Sequence, residues 1–163
     1  AYDLTPTDPR TYRALAILYL GRERWTELVL LARDHTQRVP ADPWGWMGLG
    51  LGLSRTRDIA GARDALTTGL STMDAAERRT LDRIERISAP PQVAQLATLD
   101  SASRERTIAA QWFLADPLWS TDDEDPRLEF LARIAYAELR WGSPEIRRLG
   151  VDTDRGRVFL RYG

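Results

Sequence analysis

The chain of 163 residues carries 23 basic and 24 acidic side chains, a formal net charge of −1, with 43% hydrophobic and 29% charged residues, values of a globular protein with one large domain or two small ones. Cysteine is absent, which excludes disulfides, iron–sulfur clusters and thiol catalysis, and one histidine is too few for an all-protein zinc site. The balanced charge speaks against nucleic-acid binding through a strong basic field, and no apolar run approaches the roughly 18 residues of a membrane span. Every basic residue counted is Arg, and Lys and Asn are both absent, the usage of a GC-rich genome rather than of a functional need. The first residue is Ala1 rather than Met, as removal of a leader or trimming would leave it, so the compartment stays open and export is one expectation.

In chain order, the first signal is a repeat. A shift of 34 residues superimposes Asp8-Pro9 on Asp42-Pro43, Tyr12 on Trp46, Leu15 on Leu49, Ala16 on Gly50, Trp25 on Ile59 and Leu28 on Ala62. Asp-Pro is a helix start, the carboxylate capping the first turn and proline occupying a position whose N–H has no partner anyway. Each unit then reads as helix, polar turn (Gly21–Arg24; Arg55–Asp58) and second helix, the first unit closing at Val39-Pro40. Such pairs bury their apolar faces only by stacking. Met73 onward supplies a cap, with Leu81, Ile84 and Ile87 on one stripe of a charged helix that Pro90-Pro91 ends.

This period and these residue types resemble the tetratricopeptide repeat, with Tyr12 or Trp46 as the first-helix aromatic and Ala62 and Pro40 in second-helix positions. His35, where a small residue is usual, and Asp74, where Pro is usual, depart from the pattern. The resemblance implies a groove lined by first helices: Arg13, Ile17 and Leu20 from unit one, and Trp44, Met47, Leu51 and Arg55 from unit two. That surface, apolar with arginine at its edges, suits a partner's peptide or helix. The chain's own later helices are the other occupant it admits.

Three segments resemble chemical motifs without meeting their requirements. Gly48-Leu49-Gly50-Leu51-Gly52 lacks the third glycine of a dinucleotide loop and a preceding strand, so close helix contact explains its glycines better. Gly52–Thr56 and Gly69–Met73 both miss the closing glycine of a nucleophile elbow, and His35 is expected to be packed within a helix. No cofactor and no metal are expected.

The repeat register is lost from Gln92. Val93, Leu96 and Leu99 mark a short helix; Ser101 is a candidate cap for the next, which carries Ile108, Trp112 and Phe113 up to Asp116-Pro117. The acidic run Asp122–Asp125 before Pro126 caps a helix over 127–141, with Leu128, Leu131, Ala132, Ala135 and Leu139 on its apolar face. Ser143-Pro144 stops it. A turn over Gly150–Gly156 and one strand over Arg157–Tyr162 follow, an edge that a partner or the rest of the domain would have to complete. Asp152–Gly156 begins like a calcium loop but has Gly163 at the twelfth position, and a turn is the better reading.

Trp112-Phe113, Asp116-Pro117, Arg127–Arg133, Ala135-Tyr136-Ala137 and Gly150–Arg157 resemble the start of the bacterial GWxTD domain, over roughly residues 110–163, with Val151 in place of the name-giving tryptophan. Gly150, Asp152, Thr153, Asp154, Arg155 and Gly156 are its motif positions here. That family implies no particular reaction. The motif reads as a staple in which Asp154 accepts from backbone N–H groups, Gly156 supplies a positive φ, and Arg155 or Arg157 pairs with Glu129 or the acidic run. Its rival is a binding or catalytic centre of Asp152, Asp154 and Glu129. The sequence is thus expected to be mostly α: a short tetratricopeptide-like α-solenoid with its cap over 1–90, then over 91–163 further helices and one or two short C-terminal strands. The expected function is that of a non-catalytic protein–protein interaction scaffold or assembly subunit, binding protein through the groove and by strand pairing at 157–162, with no nucleic acid and no membrane span. An incomplete hydrolase or metal-dependent enzyme in the second half is the alternative.

Overall fold

The computed structural model describes residues 7–115 and 125–163, and among these the chain is almost wholly helical. Helices α1 (Pro9–Leu20) and α2 (Trp25–Arg38) form one hairpin, α3 (Pro43–Arg55) and α4 (Ile59–Thr72) the next, so both members recur after 34 residues. The repetition extends to local geometry. Asp8 and Asp42 cap α1 and α3 by accepting from Arg10 N–H and Trp44 N–H, each at 3.0 Å. The two turns place Glu23 and Arg57, also 34 residues apart, in the left-handed region at φ 53° and 68°.

Helix α3 is apolar on every side, and a helix of that kind is stable only when surrounded. Its neighbours are α2, α4 and α8 (Pro126–Trp141). The glycines of α3 set how close they come. A Cβ at Gly50 would lie 2.5 Å from Leu66 Cγ of α4, at Gly52 2.7 Å from Val29 Cγ2 of α2, and at Gly48 2.1 Å from the Tyr12 hydroxyl of α1. The glycine-rich run is therefore a packing device inside a helix. His35, fully buried on α2, stacks on the Tyr12 ring at 4.2 Å and holds the α3 cap residue Asp42 at 2.8 Å.

Met73 ends α4, and Asp74 caps α5 (Ala75–Leu81), accepting from Ala76 and Glu77 N–H. The expected single capping helix is interrupted after Leu81. Asp82 turns to a two-pronged ion pair with Arg127 of α8 at 2.7 and 2.5 Å, and Ile84–Arg86 continues as a separate 3-10 turn. Leu81 and Ile84 are still buried, so the stripe serves the core across a break. Pro90-Pro91 opens rather than closes a helix, α6 (Pro90–Ala97). In α7 (Ser101–Ala115) the cap is Asp100, which accepts from Ser103 N–H, rather than Ser101. The 116–117 breaker and residues 122–124 of the acidic run lie outside the described residues; Asp125 caps α8 as expected, accepting from Arg127 and Leu128 N–H.

The C-terminal strand is not formed. Residues Asp154–Tyr162 are a helix, α9, begun by Thr153, whose hydroxyl accepts from Gly156 N–H at 3.0 Å. Among the described residues there is no strand, only an isolated bridge between Ser143 and Arg148, and strand pairing at 157–162 is set aside with it. A helix buries Gly156 and Leu160 while turning Val158 outward, whereas a strand would set all three on one side. One hydrophobic cluster runs from Tyr12 through α3 and α8 to Leu160, continuous across residue 90.

Candidate functional site

Helix α8 lies along α1 and α3, so the groove implied by the repeat contains a later part of the same chain. It runs antiparallel to both, and the two groove-edge arginines hold its ends. Arg13 donates to the carbonyls of Glu138, which also accepts from Gly142 N–H, and, at 3.0 Å, of Gly142, placing a cation at the negative end of the helix. Burial pulls the Arg13 guanidinium below its usual value, opposed by the carboxylates of Glu138 and Glu145. Arg55 at the other end forms a forked pair with Glu129 at 3.0 and 3.2 Å, and Arg133 joins the same carboxylate at 2.7 Å.

Of the apolar groove residues, Leu20, Met47 and Leu51 are fully buried. They are core, and as a surface for an outside peptide they are corrected: Met47 packs on Gly69 of α4, and α8 lies along α1 and α3. The remainder is open. Beyond the C-terminal end of α8, Arg13, Ile17 and Trp44 line a cleft of about 680 Å³ together with Tyr12, Gly142 and Glu145. Trp44 is half-buried, and its indole N–H donates to Glu77 of α5, whose carboxyl is raised chiefly by burial. Of the four groove residues that keep access to solvent, Arg13, Ile17 and Trp44 share this mouth and Arg55 lies at the other end of α8.

The motif Gly150–Gly156 is a staple, built differently from the expectation. Gly150–Asp152 forms a 3-10 turn that leans on α8: the buried Glu138 carboxylate accepts from Val151 N–H at 2.9 Å and from Gly150 N–H. Thr153, also buried, donates to the Gly150 carbonyl at 2.6 Å while capping α9. Comparison with protein families, curated proteins and solved structures gives no match. The assignment therefore rests on geometry alone. Gly156 does not take a positive φ, no glycine among the described residues does, and its hydrogen is needed because a Cβ would fall 2.0 Å from the Gly150 carbonyl oxygen. Arg157 donates to the Asp152 carbonyl rather than to a carboxylate, and the Arg155 side chain lies exposed with no hydrogen-bond partner among the described residues. Glu129 is taken by Arg55 and Arg133 and Asp152 by Arg86 at 2.6 Å, so the trio Asp152, Asp154 and Glu129 is not assembled. Among the described residues no group of three or more metal-ligating side chains comes together.

Thr153 and Asp154 can be separated by experiment. Thr153→Ala is expected to cost about 1–2 kcal/mol in chemical denaturation, the range of a lost cap, whereas Asp154→Ala, exposed in the first turn, should cost less than about 0.5 kcal/mol. The reverse ranking would mean that Asp154 carries the turn. Sequence reasoning missed Glu138, the buried acid that joins motif to helix. The signal was present in its place on the apolar side of the 127–141 pattern, one residue before Leu139.

Proposed function

We propose that this protein is a non-catalytic interaction scaffold or assembly subunit, tetratricopeptide-like in its first half and GWxTD-like in its second, which engages another protein at the open mouth of its repeat groove. The cleft of about 680 Å³ carries this reading, because it gathers Arg13, Ile17 and Trp44 where solvent still reaches them. Its walls combine an aromatic ring, an aliphatic side chain and an arginine, a set that anchors protein segments well. No described helix is long and apolar enough to cross a membrane, in keeping with a partner met in solution or within a larger assembly.

The test uses the whole chain as bait against extract of its source, with Ile17→Ser and Trp44→Ala as variants and Met47→Ala as a control. A partner retained by wild type should be lost from both cleft variants while their circular dichroism is unchanged. Met47→Ala, fully buried, should lose about 2–5 kcal/mol of stability yet keep the partner below its melting range. Retention of the same partner by both cleft variants would remove the groove mouth as the working surface.

A further inference from the structure

Helix α9 is held on two sides. On one, Tyr136 and Trp141 of α8 pack on Phe159, with ring centroids 4.6 Å (Tyr136–Phe159) and 5.5 Å (Trp141–Phe159) apart. On another, Arg157 and Arg161, one turn apart, clasp the segments that precede the helix. Arg161 Nε donates to the Arg86 carbonyl at 3.1 Å, and Arg157 donates through Nε and Nη2 to the Asp152 carbonyl at 3.1 and 2.8 Å. From the 3-10 turn Ile84–Arg86, Arg86 reaches the same aspartate and pairs with its carboxylate at 2.6 Å. All three arginines line one cleft of about 340 Å³.

Charge in this cleft is not balanced. Asp152 is the one carboxylate bonded to any of the three arginines among the described residues, and Glu85, which also lines the cleft, is taken by Arg104. Glu138, buried behind Val151, is countered by Arg13 before Arg86. The closing end of α9 offsets roughly half a charge of the surplus. Arg86 is the least screened of the three cations: its side chain is 14% exposed, and its Nε is buried with no partner among the described residues. Stability alone does not ask for this set, since like charges four apart weaken a helix. Each clasp also uses only part of the guanidinium fork. Arg157 Nη1 and Arg161 Nη1 and Nη2 are left with no partner among the described residues.

We propose that the cleft binds a small phosphate monoester, whose three terminal oxygens accept from these three nitrogens and whose organic part lies against Tyr162. Arginine forks suit phosphate and carboxylate alike, and two features favour the phosphate. Three donor nitrogens exceed the two oxygens of a carboxylate, and a surplus of guanidinium charge is met better by a dianion than by a single charge. The size of the cleft, at the lower end of small-molecule sites, suits a free molecule rather than a segment of another chain. Buried Val151 and Leu160 back the cleft and keep it from being a purely ionic surface.

The test is isothermal titration calorimetry of the whole protein with phenyl phosphate, its methyl diester, benzoate and inorganic phosphate. Phenyl phosphate should bind with a Kd below about 1 mM, and the diester and benzoate should bind at least about tenfold more weakly. Arg157→Gln and Arg161→Gln should each weaken phenyl phosphate about tenfold, whereas Arg155→Gln, exposed on the same helix but outside the cleft, should change it less than about twofold. Tyr162→Ala, which touches none of the clasps, should weaken phenyl phosphate and leave inorganic phosphate unchanged. Circular dichroism checks that each variant is folded. The proposal is overturned if phenyl phosphate gives no binding heat, if the diester or benzoate binds equally well, or if Arg155→Gln matters as much as Arg161→Gln. It is overturned equally if a phosphotyrosine peptide binds at least about tenfold tighter than phenyl phosphate, which would make the ligand a protein. Co-sedimentation with vesicles of about 30% phosphatidic acid, lost in Arg161→Gln and without binding of the free ester, would make it a membrane. None of these outcomes bears on the groove mouth, which these residues do not line.

Discussion

Replacement of Glu138 by Ala is expected to lower the free energy of unfolding by about 3 kcal/mol in urea denaturation. The side chain is buried, and its carboxylate is the acceptor for the N–H groups of Gly150 and Val151. Alanine leaves both donors enclosed without an acceptor and opens a void beside Arg13. Glu138→Gln retains one acceptor and fills the space, so it should cost only about 1 kcal/mol. The two variants also differ in their response to pH. Burial is the main influence on Glu138 and pushes its carboxyl up, against the two N–H groups and the positive charges of Arg13 and Arg86. A raised value in the folded state means that folding favours the proton. The associated stability is fully present below the ordinary carboxylate range and is lost as pH rises through the raised value. Wild type should therefore lose stability relative to Glu138→Gln over that interval. A difference that is flat with pH, or that grows in favour of wild type as pH rises, would refute this account.

Gly150→Ala is expected to be as damaging, at about 3 kcal/mol, for a steric reason. A Cβ there would lie 2.0 Å from the Ala137 carbonyl oxygen and 2.8 Å from Glu138 Cα, backbone on both counts. No rotamer change relieves such a contact; the segment carrying α9 must lift from α8. The aromatic group of Tyr136, Trp141 and Phe159 would part with it, so near-ultraviolet circular dichroism should weaken and proteolysis should begin between residues 142 and 154. Full retention of both signals would show that the 3-10 turn has room the structure does not display.

Where signals were local, the sequence was readable. Asp8-Pro9, Asp42-Pro43 and Asp125-Pro126 mark helix starts because cap and proline act within one turn, and each is found where expected. The 127–141 helix was evident because its apolar positions recur at helical spacing over four turns. The strand expected at 157–162 failed because Val158, Phe159 and Tyr162 favour strands locally, while the deciding influences lie elsewhere, in the Thr153 cap and in the seat that Gly150 provides for Gly156. The capping stripe Leu81, Ile84, Ile87 kept its helical period although Asp82 leaves the helix for Arg127, an ion pair between residues 45 apart that no local pattern announces. For the candidate site, Leu20, Met47 and Leu51 were expected to line a binding groove and are core, whereas Arg13, Ile17 and Trp44 keep access to solvent. Arg13 and Arg55 were recognised as edge cations able to meet acceptors; that one acceptor set is a helix terminus and the other is Glu129, both on α8, depends on three-dimensional closure.

Closure of the groove by α8 also imposes an order of events during synthesis. Arg13 meets Gly142 across 129 residues, so the first hairpin leaves the ribosome long before its covering helix exists. Until residue 141 has emerged, the sides of α1 and α3 against which α8 packs face water on a nascent chain whose later neighbours are missing. Loop closure over that distance is slow relative to forming each hairpin. The early product is therefore an open helical pair with a sticky face, the kind of intermediate that holding chaperones bind. Because translation delivers α8 last among the groove's components, a pause before α8 has left the ribosome lengthens that exposure, whereas one after it has emerged does not.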